Sequence, residues 1–300
     1  MTKIKVAVHG YGNIGHFAIE AVLAAPDMEL VGLIRRQPSL LDIPPHLQHI
    51  TIVDALEKLG EADVVLLATP SRNTPEIAQM YLQQGTRTVD SFDIHTEIPR
   101  VRHDLNQVAK DHHSVAVLGA GWDPGTDSIL RAVLEMMAPR GLTYTNFGPG
   151  MSMGHTVAVK HIPGVKDALS LTIPKGSGQH RRDVYIELEK GASYDDVQQA
   201  ILKDPYFVHD ETHVYVVPDV KKLIDRGHGV IMERKGVSGQ TDNQWFQFQM
   251  RIHNPALTAQ IMVSAARAAM RLSPGAYTLI EIPPIFFLPG AAEEHIARLV

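Results

Sequence analysis

The sequence predicts an α/β chain in two parts: a doubly wound parallel sheet, then an α+β region built on a mainly antiparallel open sheet. Three observations predict it. Residues 1–120 alternate short apolar runs with helical stretches, the pattern of parallel strands with helices on both faces. From residue 142 to 254 the pattern shifts to closely spaced β-like segments with few helices between them. The 300 residues are 44% hydrophobic and 20% charged with 19 prolines, which is ordinary folded material with enough apolar surface for a substantial core.

The first strand, residues 4–8, carries Ile4, Val6 and Val8 and runs into Gly10-Tyr11-Gly12-Asn13-Ile14-Gly15. A helix over 13–24 follows, with Ile14, Phe17, Ala18, Ala21 and Val22 on one face. Glycines in this spacing, after a strand and at the opening of a helix, predict a Rossmann-type dinucleotide site. Gly10 permits the tight turn, Gly12 lets the backbone approach the pyrophosphate, and Gly15 lets helix and strand pack closely. Gly10, Tyr11, Gly12, Asn13 and Ile14 are the expected cofactor contacts of this turn. The second strand, 28–34, ends about twenty residues after the last glycine, where an acid would bond a free ribose 2′-OH. Arg35 and Arg36 stand there instead. A carboxylate would repel a 2′-phosphate, whereas one guanidinium can bond it and the other can lie over the adenine, so the expected cofactor is NADP. A solvated basic loop end is the competing reading of the pair.

A Pro-rich connection (Pro38, Pro44, Pro45) leads to a strand over 63–68, a helix near 74–84, a strand over 86–90, a helix near 97–111 and a strand over 114–118. Ligands of such sheets sit at the carboxyl ends of the strands. Those ends carry Thr69-Pro70-Ser71-Arg72, Asp90-Ser91-Phe92-Asp93 and Gly119-Ala120-Gly121-Trp122-Asp123. Thr69 and Ser71 are expected to contact the cofactor. After a helix over 125–137, β-like segments are read at 143–147, 156–160, 168–173, 184–188, 214–217, 229–233 and 244–252, with helices near 194–203 and 218–226. A helix over 255–272 is expected to return the chain to its first part, leaving a cleft between cofactor and substrate surfaces. The domains expected are 1–121, with 254–300 packing back, for the nucleotide, and 122–253 for substrate and dimerisation.

A net charge of −5 and the lack of a basic stripe with interleaved aromatics argue against nucleic acid as a partner. No run of about eighteen apolar residues and no leader-like N-terminus is seen, so no membrane is expected and a cytoplasmic location is the default. Zero cysteines exclude disulfides, thiolate metal sites and aldehyde oxidation through a thiohemiacetal.

Asp93 and Asp123 lie just beyond strand ends, where two carboxylates could hold an ammonium group and one could accept its proton. Asp123 before Pro124 is also what a helix N-cap looks like, and Asp93 could be a turn residue. The segment 146–156 crowds Gly148, Gly150 and Gly154 around Met151 and Met153, a loop able to offer N–H groups to a carboxylate or simply to turn. Thr172, Arg181, Arg182, His228 and Asn254 are polar groups at element ends that could converge on a second carboxylate. Each also has a local reading: Asn254 as an N-cap, His228 as a turn between two glycines, the arginines as a solvated strand edge. His209-Asp210-Glu211-Thr212-His213 lacks the glutamate position of a zinc motif and reads as a polar loop, so no metal is expected. His112-His113 reads as a pair at a helix C-terminus.

Asp90-Ser91-Phe92-Asp93-Ile94-His95, Gly121-Trp122-Asp123-Pro124-Gly125, the run from Asn146 through Met153, Gly154 and His155, and Asn254-Pro255-Ala256-Leu257-Thr258 together resemble the meso-diaminopimelate dehydrogenases. The resemblance spans nearly the whole chain and is strongest to the shorter branch, some members of which aminate 2-keto acids to D-amino acids. It implies NADP-dependent, reversible oxidative deamination of the D-centre of meso-2,6-diaminopimelate to L-2-amino-6-oxopimelate and ammonia, in lysine and peptidoglycan precursor metabolism, by a homodimer. Carried over residue by residue, it places Asp93 and Asp123 near the reacting amino group, with Trp122, Phe147, Met153, Gly154 and His155 shaping that end. It places Thr172, Arg182, His228 and Asn254 at the L-configured end. The other readings of the residues are an NADP-dependent oxidoreductase on another small polar substrate and a non-catalytic NADP-binding sensor; the Glu-Lys-Pro segment of sugar oxidoreductases is absent.

Overall fold

In the computed structural model, which describes residues 2–37, 44–223 and 227–300, the chain opens with β1 (Ile4–His9), α1 (Asn13–Ala24), β2 (Met28–Ile34) and β3 (Ile52–Val53). It continues through β4 (Val64–Leu67), α2 (Thr74–Gln83), β5 (Arg87–Asp90), α3 (Ile98–Asp111), β6 (Val115–Leu118) and α4 (Thr126–Met137). Next come β7 (Arg140–Met151), α5 (Met153–Lys160), β8 (Val165–Gly176), β9 (Gln179–Leu188), α6 (Tyr194–Lys203), β10 (Glu211–Val216), β11 (Gly227–Ser238) and β12 (Thr241–His253). The chain closes with α7 (Asn254–Ala269), β13 (Gly275–Thr278) and α8 (Ala292–Leu299). Two units form, Met1–Leu130 with Pro255–Val300, and Arg131–Asn254. Pro38 of the proline-rich connection lies outside the described residues.

The first unit holds a seven-stranded sheet in the order β13-β6-β5-β4-β1-β2-β3, and the recorded pairings are parallel. β4 and β6, Val-Val-Leu-Leu and Val-Ala-Val-Leu, are buried along their whole length, as strands covered on both faces must be. The order reverses between β1 and β4, and that switch point opens a crevice at their carboxyl ends. β3 and β13, two and four residues long, were not foreseen, because runs this short carry too little alternation to read. The first unit runs on to Leu130, inside α4, and the turn before that helix folds tightly on itself: a Cβ on Gly125 would lie 1.8 Å from the Gly121 carbonyl oxygen.

The second unit holds a six-stranded sheet in the order β10-β9-β8-β7-β11-β12. Its described pairings are antiparallel except that β10 runs parallel to β9. The strand expected over 156–160 is instead the second half of α5. Thr-Val-Ala-Val alternates like a strand, but the Thr156 N–H and hydroxyl both donate to the Ser152 carbonyl, at 3.0 and 2.6 Å, and Val159 is fully buried in a core with Val184, Ile186, Ile201 and Phe207. Tertiary packing overrides the local preference of β-branched residues. The glycine-rich loop at 146–151 is the kinked end of β7, where Gly148 has φ +95° and a Cβ would lie 2.2 Å from the Thr172 carbonyl oxygen. The helix expected near 218–226 is a 3₁₀ turn at Val220–Leu223, and residues 224–226 lie outside the described ones.

Candidate active site

At the switch point, the Gly10 N–H donates to the Ile34 carbonyl at 3.0 Å, which sets the glycine turn beside the Arg35-Arg36 end of β2. A Cβ on Gly10 would lie 2.4 Å from the Ala68 carbonyl oxygen, and one on Gly15 only 2.1 Å from the Gly10 oxygen, so neither position admits a side chain. Gly12 differs: nothing lies within 4 Å of its would-be Cβ. The protein therefore leaves space over Gly12, and the first N–H groups of α1 (Asn13, Ile14) open onto the same turn, which fits a pyrophosphate laid against the backbone. Tyr11 makes a tilted ring contact with His16. Arg35 is half-buried and its N–H donates to the Val53 carbonyl at 2.8 Å, whereas Arg36 is exposed. Thr69 borders the same turn and its hydroxyl is 3.0 Å from that of Thr74. The residues present fit a dinucleotide.

Ser71 meets Asp93: its hydroxyl donates to Asp93 Oδ1 at 2.6 Å and accepts from the Asp93 N–H at 3.3 Å. Asp123, with 12% of its side chain exposed, has Oδ2 3.9 Å from His95 Nε2. It is not the N-cap of α4, because Gly125 occupies that place: its carbonyl accepts from the Ile129 N–H. Trp122 is buried beside it, at 7% exposed. The residue that organises this end was missed in the sequence. Asp90 is fully buried, and its Oδ1 accepts from the N–H groups of Phe92 (2.9 Å) and Gly119 (3.0 Å), while its carbonyl accepts from Ala120. One carboxyl thus ties the segment carrying Asp93 to the segment carrying Asp123, and burial pushes its pKa up to about 6.

In the second unit, the sheet register sets Arg182, Thr172, Gly150 and His228 in a single row across β9, β8, β7 and β11. Cross-strand neighbours share a face. His228, 3% exposed and 3.1 Å from the Met151 carbonyl oxygen through Nδ1, is therefore a strand residue and not a turn. Arg182 is likewise no solvated edge: β9 is an inner strand, and the guanidinium is buried. Its Nε donates to Asp210 at 2.6 Å, Nη1 donates to the Thr172 hydroxyl, and Nη2 is 2.9 Å from His180 Nε2. Arg181, on the opposite face, pairs with Asp183.

His155, in the first turn of α5 after Met153 and Gly154, has Nδ1 2.8 Å from the Ser152 hydroxyl and packs edge-on to Tyr206 and Phe207. Burial, then the Arg182 charge, pulls its pKa down to about 3, so the ring is neutral at physiological pH. Phe147 meets His180 edge-on at 6.1 Å. Asn254 is buried and forms the first residue of α7 rather than its cap. His209–His213 is not all loop, since β10 begins at Glu211 and His213 Nε2 pairs with Glu211 at 2.9 Å. Among the described residues no group of three His, Asp or Glu could hold a metal ion. His180 and Asp210 were not singled out. The alternation of His180 with Arg182 on one face of a strand was a readable signal, whereas nothing in the sequence points Asp210 toward residues 28 positions earlier.

The match to known proteins covers this whole arrangement. Residues 121–178 match the model of the diaminopimelic acid dehydrogenase C-terminal domain. The chain is 55% identical over 300 residues, the full length of both proteins, to the meso-diaminopimelate D-dehydrogenase of Bacteroides fragilis. It belongs to the meso-diaminopimelate dehydrogenase family. The Corynebacterium glutamicum DAP dehydrogenase in complex with DAP superimposes with a TM-score of 0.90 at 29% identity, covering all of both chains. An engineered D-amino acid dehydrogenase bound to NADP+ gives 0.89, again at 29% identity over all of both chains. The segment matching the diaminopimelate dehydrogenase model holds Trp122, Asp123, Phe147, Met153, Gly154, His155 and Thr172, and it stops before Arg182, His228 and Asn254. For Arg182 and His228 the cross-strand row and the burial are independent observations, and for Asn254 the burial is.

Proposed function

We propose that this protein is an NADP-dependent meso-2,6-diaminopimelate dehydrogenase, which oxidatively deaminates the D-centre to L-2-amino-6-oxopimelate and ammonia, reversibly, in lysine biosynthesis. The observation that carries it is the row Arg182, Thr172, Gly150, His228 in a full-length member of this family. Gly150 puts no side chain between Thr172 and His228, so the row offers a carboxylate two hydrogen-bonding groups and a guanidinium. This row, with Asn254, holds the L-configured end. Asp93 and Asp123 hold the reacting ammonium, with Trp122, Phe147, Met153, Gly154 and His155 shaping that end.

The substrate has two chemically identical ends of opposite chirality, so anchoring one end supplies the stereoselectivity of reaction at the other. The ammonium passes one proton to Asp93 or Asp123, directly or through water, and the freed nitrogen lone pair drives the C–H bond to break. NADP+, which the Gly10–Gly15 turn and the Arg35-Arg36 end of β2 would hold, would supply the hydride acceptor. Water adds to the iminium that remains, and ammonia leaves with its proton, as ammonium, when the carbonyl forms; in reverse the same groups aminate a 2-keto acid. The exposed side chains of Tyr215 and Val216 on β10 and Trp245 on β12, the two edge strands of the second sheet, support a homodimer. No described helix is long and apolar enough to cross a membrane, which agrees with a cytoplasmic enzyme.

Reduction of NADP+ with the meso-, LL- and DD-isomers tests this reading. The meso isomer is expected to turn over fastest and NAD+ to be the poorer acceptor. Equal rates with all isomers, or none with any, overturn it.

A further inference from the structure

Asp210 lies between α6 and β10 and has no part in the chemistry above. Its Oδ2 accepts from Arg182 Nε at 2.6 Å, and its Oδ1 lies 3.3 Å from His180 Nε2. A guanidinium has five N–H donors in one plane. Nε is engaged by Asp210, one donor of Nη1 by Thr172, and Nη2 approaches His180, so among the described residues one donor remains on each Nη. A bidentate grip on a carboxylate is then available only through the two Nη atoms, and only if the guanidinium plane does not turn. We infer that Asp210 is the positioning residue of Arg182: by holding Nε it fixes the plane in which the Nη donors meet the distal carboxylate of the substrate. His180 braces the same arrangement, touching both Nη2 and Oδ1. The surroundings leave Asp210 this task, since Arg182 is 8% exposed and its remaining partners are a hydroxyl and an imidazole. Without the carboxylate a buried cation would have no anionic partner while the site stands empty.

The inference rests on Arg182 binding the distal carboxylate, and the experiment separates the two claims. Steady-state kinetics of the full chain with meso-diaminopimelate and NADP+ compare Arg182→Ala, Asp210→Ala, Asp210→Asn and Asp210→Glu with the wild type. Expected are a rise of about tenfold or more in KM for diaminopimelate in Asp210→Ala, with kcat and the KM for NADP+ within about twofold, as for loss of binding alone. Asp210→Asn keeps an acceptor for Nε and recovers most of the affinity. Asp210→Glu keeps the charge but shifts the carboxylate by one methylene, and it also raises KM, which covers the case in which the alanine variant does not fold. An unchanged or lowered KM in Asp210→Ala, or in Asp210→Glu where alanine does not fold, overturns the inference if Arg182→Ala raises it. No effect of Arg182→Ala overturns the anchoring role and the inference together. A fall in kcat that asparagine fails to rescue assigns Asp210 a merely structural role and also overturns it.

Discussion

Asp90 stands at the end of β5 with its carboxyl entirely out of water, and it holds two loops by their backbone N–H groups. Those two bonds favour the ionised form, but desolvation is the larger effect and pushes the pKa up to about 6. A carboxyl of raised folded-state pKa gives stability that is full below the unfolded value near 4 and lost as pH rises through 6. Two pH units correspond to roughly 3 kcal/mol. Asp90→Asn keeps the accepting oxygen and removes the charge. Thermal melts are expected to show the variant gaining on the wild type between pH 4.5 and 7.5, and a constant difference across that range counts against the assignment. Asp90 illustrates what a sequence withholds at this scale. Arg-Thr-Val-Asp reads as the end of a strand, and only Gly119, 29 residues later at the end of the neighbouring strand, reveals that its acid is buried and holds a second loop. The position of Asp93 and Asp123 just beyond strand ends was legible because strand ends mark ligand crevices in parallel sheets, a rule that needs no partner residue to apply.

At the scale of elements, the strand-turn-helix of β1 and α1 was readable almost to the residue, because glycine spacing, apolar alternation and helical periodicity all indicate the same geometry. α5 was misread because its four residues Thr-Val-Ala-Val follow a strand pattern and its helical bonds depend on the Ser152 carbonyl. Thr172, Arg182 and His228 were candidates in the sequence, but their alignment in one row with Gly150 was not legible, for a related reason. It depends on register among four strands, and β7 reaches that register only through a kink at Gly148. The fit of α1 against β1 leads to a prediction. A methyl group at residue 15 would lie 2.1 Å from the Gly10 carbonyl oxygen, so the backbone of the turn must shift to admit it. Gly15→Ala is therefore expected to weaken NADP+ binding by at least about tenfold by fluorescence titration, as the turn that lines the pyrophosphate is displaced. Wild-type affinity would mean that the turn is not the nucleotide seat.

For the whole molecule, the sequence foretold a parallel sheet, a later antiparallel one and a return of the chain to the first, but not that the return adds β13 beside β6. Within the first unit, Arg267 of α7, 5% exposed, grips Asp27 just before β2 with two bonds of 2.6 and 2.8 Å. Residues 240 positions apart are thus fastened at one point. Asp27→Ala leaves a buried guanidinium unpaired and is expected to cost about 2–3 kcal/mol in urea unfolding, less than a fully buried pair because Asp27 keeps a third of its side chain in water. Adding Arg267→Met is expected to restore most of that loss; a double variant no more stable than the single one would show that the pair itself, not the stranded charge, matters. The placing of β13 also bears on the order in which a newly made chain reaches its final form. The unit 131–254 is one continuous stretch, complete once residue 254 has been added, whereas the first sheet lacks its last strand until residue 278. At about 5–20 residues per second the interval is roughly one to five seconds. During synthesis, the part of the protein encoded second is the part that is finished first.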